Sequence, residues 1–171
     1  MTLYKKITTS RREAKFQTEI GQAFNTFCKN RDIKGNYVKI KDLGFKNPFD
    51  CYVQYEYRQK CSMELKFCYP GYRMNEKGEI SFAQLFGYGK QIHELDNLIL
   101  QKEMGFDAYV LINVFIGPRN NKAYAISPEI AYSFYDKKAV NINKLIDESN
   151  EITKIKDYFT NENRWDLSLI L

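Results

Sequence analysis

Apolar residues recur every three or four positions over residues 12–29: Phe16, Ile20, Ala23, Phe24 and Phe27. That period lines one face of a helix. Glu19 borders the stripe, where a carboxylate either reaches solvent from the edge or faces a metal or a cation. After a turn at residues 30–35 the pattern changes to alternation, and residues 37–40 predict a short strand. Asn47-Pro48 breaks the chain just ahead of Phe49-Asp50. Residues 51–57 and 62–68 then read as two antiparallel strands, with 58–61 as the turn between them. Pro70-Gly71 and residues 76–79 mark a polar loop. Ser81 caps a short helical turn with Phe82 and Leu85 inward. A stronger helix runs over residues 90–103, with Ile92, Leu95, Leu98 and Ile99 as its stripe and Gly105 ending it. Residues 108–115 are an unbroken apolar run ahead of Gly117-Pro118, the pattern of a buried central strand. Residues 123–126 suggest a further strand, Pro128 opens a short helix, and helical patterns follow near 141–149 and 151–159.

This order predicts an α/β fold, a mixed central β-sheet flanked by helices. A length of 171 residues suits one domain with a real core. Within it, residues 1–12 read as a basic flexible arm, 12–145 as the core and 146–171 as a helical C-terminal tail. No apolar run is long enough to cross a bilayer, and the first residues lack the apolar core of a signal peptide. A soluble cytoplasmic protein with no membrane partner is the expectation. Cys28, Cys51, Cys61 and Cys68 show no CxxC spacing and read as buried free thiols.

Charge adds a partner to this picture. The net charge is +5, yet residues 1–66 carry 14 Lys+Arg against 7 Asp+Glu. The excess therefore sits in the first third of the chain, with Arg11, Arg12 and Lys15 in its leading cluster. Such a surface is either an ordinary solvated face or a seat for a polyanion such as DNA. Arg11, Arg12 and Lys15 are the candidate phosphate contacts, and Tyr69, Tyr72 and Tyr88 are candidates to stack on bases.

The chemistry concentrates between Asp50 and Lys66. Alternation along residues 63–67 puts Glu64 and Lys66 on one face, with Met63, Leu65 and Phe67 packed behind the other. A carboxylate and an ammonium on a buried strand are costly unless paired. Asp50, on the neighbouring strand, is either a turn-capping residue or a partner of Glu64 in binding a divalent metal. Hydrolysis of a phosphodiester anion needs charge neutralisation and an activated water, and two carboxylates holding Mg²⁺ supply both. Lys66 would then position the water or stabilise the charge that develops. The competing reading of Glu64 and Lys66 is a structural salt bridge on an exposed face. His93, the only histidine, sits two residues past Gln91 and is expected to point off that face into solvent.

Asp50, the triplet Glu64-Leu65-Lys66, the segment from Phe82 to the pair Gln91-Ile92, and the apolar strand from Phe106 to Phe115 together resemble the PD-(D/E)XK nuclease superfamily. Within it they are most similar to RecU-type Holliday junction resolvases. The resemblance spans residues 12–145 and implies a restriction-endonuclease-like core. It implies Asp50, Glu64 and the Leu65 carbonyl as metal ligands, with Glu19 on the first helix as an additional one. It also implies Lys66 as catalytic and Gln91 as a site residue, with Mg²⁺ as cofactor and Mn²⁺ as its substitute. The implied partners are DNA, as four-way junctions, and a second copy of the chain, since two symmetric incisions need a two-fold dimer. Two alternatives stand beside this. One is the same nuclease site acting on duplex, flap or single-stranded DNA ends, and the other a non-catalytic nucleic-acid-binding module.

Overall fold

The protein is described by a computed structural model over residues 9–41, 47–56, 60–117, 119–157 and 160–171. Helix α1 (Thr9–Asn30) turns its apolar stripe inward, leaving Phe16, Ile20, Ala23 and Phe24 at most 2% exposed. Four strands of the sheet then follow in the first half of the chain. They are β1 (Gly35–Lys39), β2 (Cys51–Tyr55), β3 (Cys61–Pro70) and β4 (Arg73–Met74). Beyond them lie β5 (Glu79–Ile80), α2 (Phe82–Leu85), α3 (Ile92–Glu103), β6 (Asp107–Gly117) and β7 (Asn120–Ile126). The remainder comprises α4 (Pro128–Tyr135), β8 (Val140–Asn141), α5 (Ile142–Asp147), β9 (Asn150–Ile152), β10 (Lys154–Lys156) and β11 (Asn163–Trp165).

These elements form a mixed α/β fold around a nine-stranded sheet. Its main path runs β8-β5-β4-β3-β6-β7-β9, and β2 joins β3 with β1 outside it. The centre is the parallel pair β3 and β6, in register from Cys61 opposite Asp107 to Cys68 opposite Val114. The link between two parallel strands must cross the sheet, and α2 and α3 make that crossing. Ser81 caps α2 by accepting from the Gln84 N–H, and Gly105, at φ +85°, ends α3 in the left-handed conformation that glycine adopts without strain.

Each face of the sheet buries its own core. Met63, Leu65 and Leu111 pack with α1 on one face. Val110, Ile112 and Val114 pack with α2, α3 and α4 on the other. The four cysteines are free and buried, as expected. Burial raises the pKa of each, which holds the thiols in their unreactive protonated form. Among the described residues no helix is long and apolar enough to cross a membrane.

Two boundaries differ from expectation. Residues 9–12, assigned to a flexible arm, belong to α1, while residues 1–8 lie outside the described residues. Among the described residues the tail is not helical after Asp147. β9 extends the sheet beside β7, and β10 pairs with β11 as a separate two-stranded sheet. The helical periodicity over residues 151–159 gives way to strand in β9 and β10 because Ile152 and Trp165 both find burial in the core under α1, and residues 158–159 lie outside the described residues. Tertiary burial outweighs the few tenths of a kcal/mol per residue, roughly, that separate intrinsic propensities.

Candidate functional site

The site begins as a gap in one edge of β3. β6 covers the opposite edge along residues 61–68. On the open edge β2 pairs only with Cys61, Ser62 and Met63, and β4 takes up pairing at Tyr69 and Pro70. Between those limits β3 has no strand partner on that edge among the described residues, and side chains take its backbone groups instead. The Leu65 N–H donates to Asp50 Oδ2 at 2.8 Å, and the Asp50 N–H donates back to Glu64 Oε2 at 3.1 Å. In a strand the C=O of a residue points to the same edge as its N–H, so the Leu65 carbonyl faces the Asp50 side. Further along, Arg73 donates through Nη1 to the Phe67 carbonyl at 3.3 Å and to Glu13 of α1.

Alternation brings Glu64 and Lys66 onto the α3 face, 2% and 3% exposed. Lys66 Nζ lies 2.6 Å from Glu64 Oε1 and 2.9 Å from Glu94 Oε2, and donates to Gln91 Oε1 at 3.3 Å. Its cation also sits 4.8 Å from the centre of the Phe86 ring. Glu94 is a site residue that the sequence reading missed. It lies three residues after Gln91, one helical turn on, and that spacing was the available signal. His93 departs from expectation as well. Rather than pointing to solvent, its Nε2 meets the Asn47 carbonyl at 3.0 Å, tying α3 to the turn that delivers Asp50.

Two carboxylates, Glu64 and Glu94, contact the Lys66 ammonium, and Asp50 and Glu64 both have raised proton affinities. Burial raises the Asp50 pKa to about 7, reinforced by the charge of Glu64 and, more weakly, of Glu13. The Leu65 N–H and Lys66 oppose that shift without cancelling it. Burial likewise raises Glu64 to about 8, with Lys66 opposing and Glu94 adding to the effect. Burial pulls Lys66 down, but Glu64 and Glu94 outweigh it and hold the lysine above its ordinary range. Both acids thus favour the charged form of Lys66.

These shifts set the sign of a pH dependence. In the unfolded chain both acids lose their protons near about pH 4. In the folded protein they keep them up to about 7 and about 8. Between those limits the folded state binds more protons, so this contribution lowers stability as pH rises. The metal-free protein is expected to show a Tm that falls between about pH 5 and about pH 8, each kcal/mol being worth roughly 2–4 °C at this size. Asp50→Asn should flatten the fall. Scanning calorimetry at constant ionic strength measures both, and indistinguishable profiles for the two proteins would contradict the assignment of these shifts.

The donor chemistry fits a hard divalent cation. Asp50, Glu64 and the Leu65 carbonyl are oxygen ligands, and Mg²⁺ commonly takes only one or two carboxylates, completing its shell with water and phosphate oxygens. Among the described residues no group of three or more His, Cys, Asp or Glu side chains is arranged to hold a metal, so Asp50 and Glu64 would supply the side-chain ligands alone.

Glu19 is not brought to this site. Its Oε2 accepts from the Trp165 indole N–H at 2.9 Å and from Lys154 at 3.2 Å, on the sheet face away from Glu64. The acid that α1 does direct toward Asp50 is Glu13, six residues earlier and on a different side of the helix. The tyrosines and basic residues divide among several places. The Arg12 guanidinium covers Tyr69 at 4.7 Å from its ring centre, and Tyr69 stacks on Tyr72 at 5.4 Å. Lys15 has a 77% exposed side chain, and the side chain of Arg11 lies outside the described residues. Tyr88 is 72% exposed, on left-handed backbone, and shares a groove of about 980 Å³ with Arg73, Lys137 and Lys138. The chain matches no protein-family model and shows no significant similarity to a curated protein.

Proposed function

We propose that the protein is a Mg²⁺-dependent endonuclease that cleaves phosphodiester bonds in branched DNA, acting as a dimeric Holliday junction resolvase. The observation that carries the reading is the convergence of Asp50, Glu64 and Lys66 at the gap in β3, within a chain of contacts of 2.6–3.1 Å. A structural salt bridge on an exposed face would not bury Glu64 and Lys66 almost completely. Nor would it need Asp50 to replace a strand partner of Leu65.

When bound, the metal would supply a water of lowered pKa and neutralise the phosphate. The chain's own residues do the rest. Asp50 and Glu64 provide the anionic ligands. Lys66, kept protonated by Glu64 and Glu94 and oriented by Gln91, offers its charge to the oxygen that becomes more negative as the bond breaks. Arg73 stands on the same open edge, held by Glu13, where a phosphate oxygen can reach it. The reading assigns the protein to the cytoplasm, or to whichever compartment of its host holds DNA.

The test is incubation with labelled four-way, flap and linear duplex DNA, with Mg²⁺ and with EDTA. Symmetric incision of the four-way junction with Mg²⁺, abolished by EDTA, is the expected result. Among the described residues the segment between α1 and β2 contains one short strand, β1, and a preference for linear duplex would move the substrate from junctions to ends while keeping the site. Binding without cleavage under any divalent metal would leave a non-catalytic module.

A further inference from the structure

The opposite face of β3 and β6 carries a feature that phosphodiester chemistry does not use. Asn113 interrupts the apolar run of β6 and is 3% exposed. A buried amide is costly unless its hydrogen bonds are made. Its Nδ2 donates to the Lys122 carbonyl at 3.0 Å and to Asn121 Oδ1 at 2.6 Å. A backbone carbonyl can only accept, so these partners fix which way the amide faces. Asn113 Oδ1 is then the acceptor left for the cavity that the residue lines, and the Asn121 amide nitrogen is the donor left beside it.

That cavity measures about 160 Å³ and is walled by Phe16, Phe67 and Phe115. A cavity of about 150 Å³ admits a benzene-sized ring, so there is room here for one planar ring system. Arg12 covers the walls, 5.7 Å from the Phe67 ring centre and 5.4 Å from that of Phe115, and Lys15 lines the cavity with its side chain largely in solvent. Glu19 also lines it, but Lys154 and the Trp165 N–H occupy its carboxylate.

We propose that this cavity receives one nucleobase of the DNA strand engaged at the Asp50–Lys66 site. Aromatic walls stack on any base. A neighbouring acceptor and donor match the paired donor and acceptor on a base edge, as asparagine amides do on adenine. Arg12 and Lys15 supply the charge that attracts the flanking phosphates. Phe67 follows Lys66 on β3 and so points to the other face of the sheet, and the path between cavity and site runs round the open edge of β3, where Glu13, next to Arg12 on α1, holds Arg73. The inference rests on the nuclease reading for the identity of the strand, but recognition of the base requires no cleavage.

The test uses the full chain in EDTA and compares a short single-stranded oligonucleotide with an abasic deoxyribose-phosphate chain of the same length, by fluorescence anisotropy. The base-bearing strand should bind about tenfold more tightly or better, because the walls stack on a base only when the Asn113 and Asn121 amides hold its polar edge. Asn113→Leu and Asn121→Ala should each remove most of that difference while leaving affinity for the abasic chain unchanged. Asn121 is partly exposed, so its variant keeps the test valid if Asn113→Leu fails to fold. In a parallel NMR titration, deoxyadenosine monophosphate should shift the side-chain amide signals of Asn113 and Asn121, and inorganic phosphate should not. Equal affinity for the base-bearing and abasic chains overturns the proposal. The oligonucleotide should move the same signals, and if the mononucleotide moves them but the oligonucleotide does not, the cavity serves a free nucleotide and the strand assignment falls. Base-dependent binding by a protein that cleaves no DNA would instead overturn the nuclease reading and leave the pocket standing.

Discussion

Lys66→Ala is expected to lower Mg²⁺-dependent junction cleavage by about 10²–10³-fold, the loss seen when one donor to a developing negative charge is removed. It should also destabilise the fold by about 3–5 kcal/mol, because it leaves two acids buried without their counter-charge. The partners are specific. Glu64 and Glu94 both contact the ammonium, at 2.6 and 2.9 Å, and Phe86 lies against it. Lys66→Arg separates the two effects, since it keeps the charge but replaces a compact ammonium by a planar fork that the cage does not match. It should recover part of the stability and little of the rate. Gel-shift affinity for the junction should survive in all three proteins, because Lys66 is enclosed and makes no long-range contribution comparable to the surface cations. Cleavage by Lys66→Ala at the unaltered rate would remove the lysine from the mechanism.

Asp50→Asn is expected to abolish detectable cleavage and divalent-metal binding together. With Asp50 ionised, two carboxylates face the gap. With asparagine one remains, and a single carboxylate seldom holds Mg²⁺ without further support. The thermal signature is separable from activity. At a free Mg²⁺ concentration of 100 times Kd, binding to the native state adds about 2.7 kcal/mol, or roughly 5–10 °C of Tm for a chain of this size. That increment should appear in the natural protein at about pH 8, where Asp50 and Glu64 give up their protons most readily, shrink at about pH 5.5, and vanish in Asp50→Asn. The metal-free variant should be as stable as the natural protein or more so at the higher pH, because an amide in place of the carboxylate ends its repulsion with Glu64. Calorimetric titration with Mg²⁺ and with Mn²⁺ completes the comparison. Undiminished metal affinity in Asp50→Asn would exclude Asp50 as a ligand.

Much of the site was readable because it is local. Alternation along Met63–Phe67 follows from strand geometry alone, and Glu64 and Lys66 do share a face with Met63 and Leu65 behind them. The Phe82–Leu85 turn and its Ser81 cap, like the end of α3 at Gly105, also depend on neighbours a few residues apart. Glu19 shows where such reasoning runs out. Its place beside the α1 stripe signalled a cationic or metal partner, and the partners proved to be Lys154 and the Trp165 indole, more than 130 residues away. The periodicity of a helix states that an acid borders the core but not which neighbour it meets. Glu13 was passed over for the same reason, its partner Arg73 lying in a segment read as loop.

Local pattern alone dictates the amphipathic first helix, the alternating strand bearing Glu64 and Lys66, the buried strand after the crossover and the concentration of positive charge in the first third of the chain. These follow from periods of 3.6 and 2 and from composition, which are properties of neighbouring residues. Long-range packing, by contrast, sets where β2 and β4 stop short of each other on one edge of β3, brings Asp50 into the interval, and makes Glu94 share Lys66. The same long-range contacts make strands of Lys154–Lys156 and Asn163–Trp165 and open Asn113 onto an aromatic cavity. Each of these is a contact between distant segments. Such contacts are selected by which apolar surfaces bury one another and which polar groups would otherwise go unpaired, and no local pattern encodes that choice.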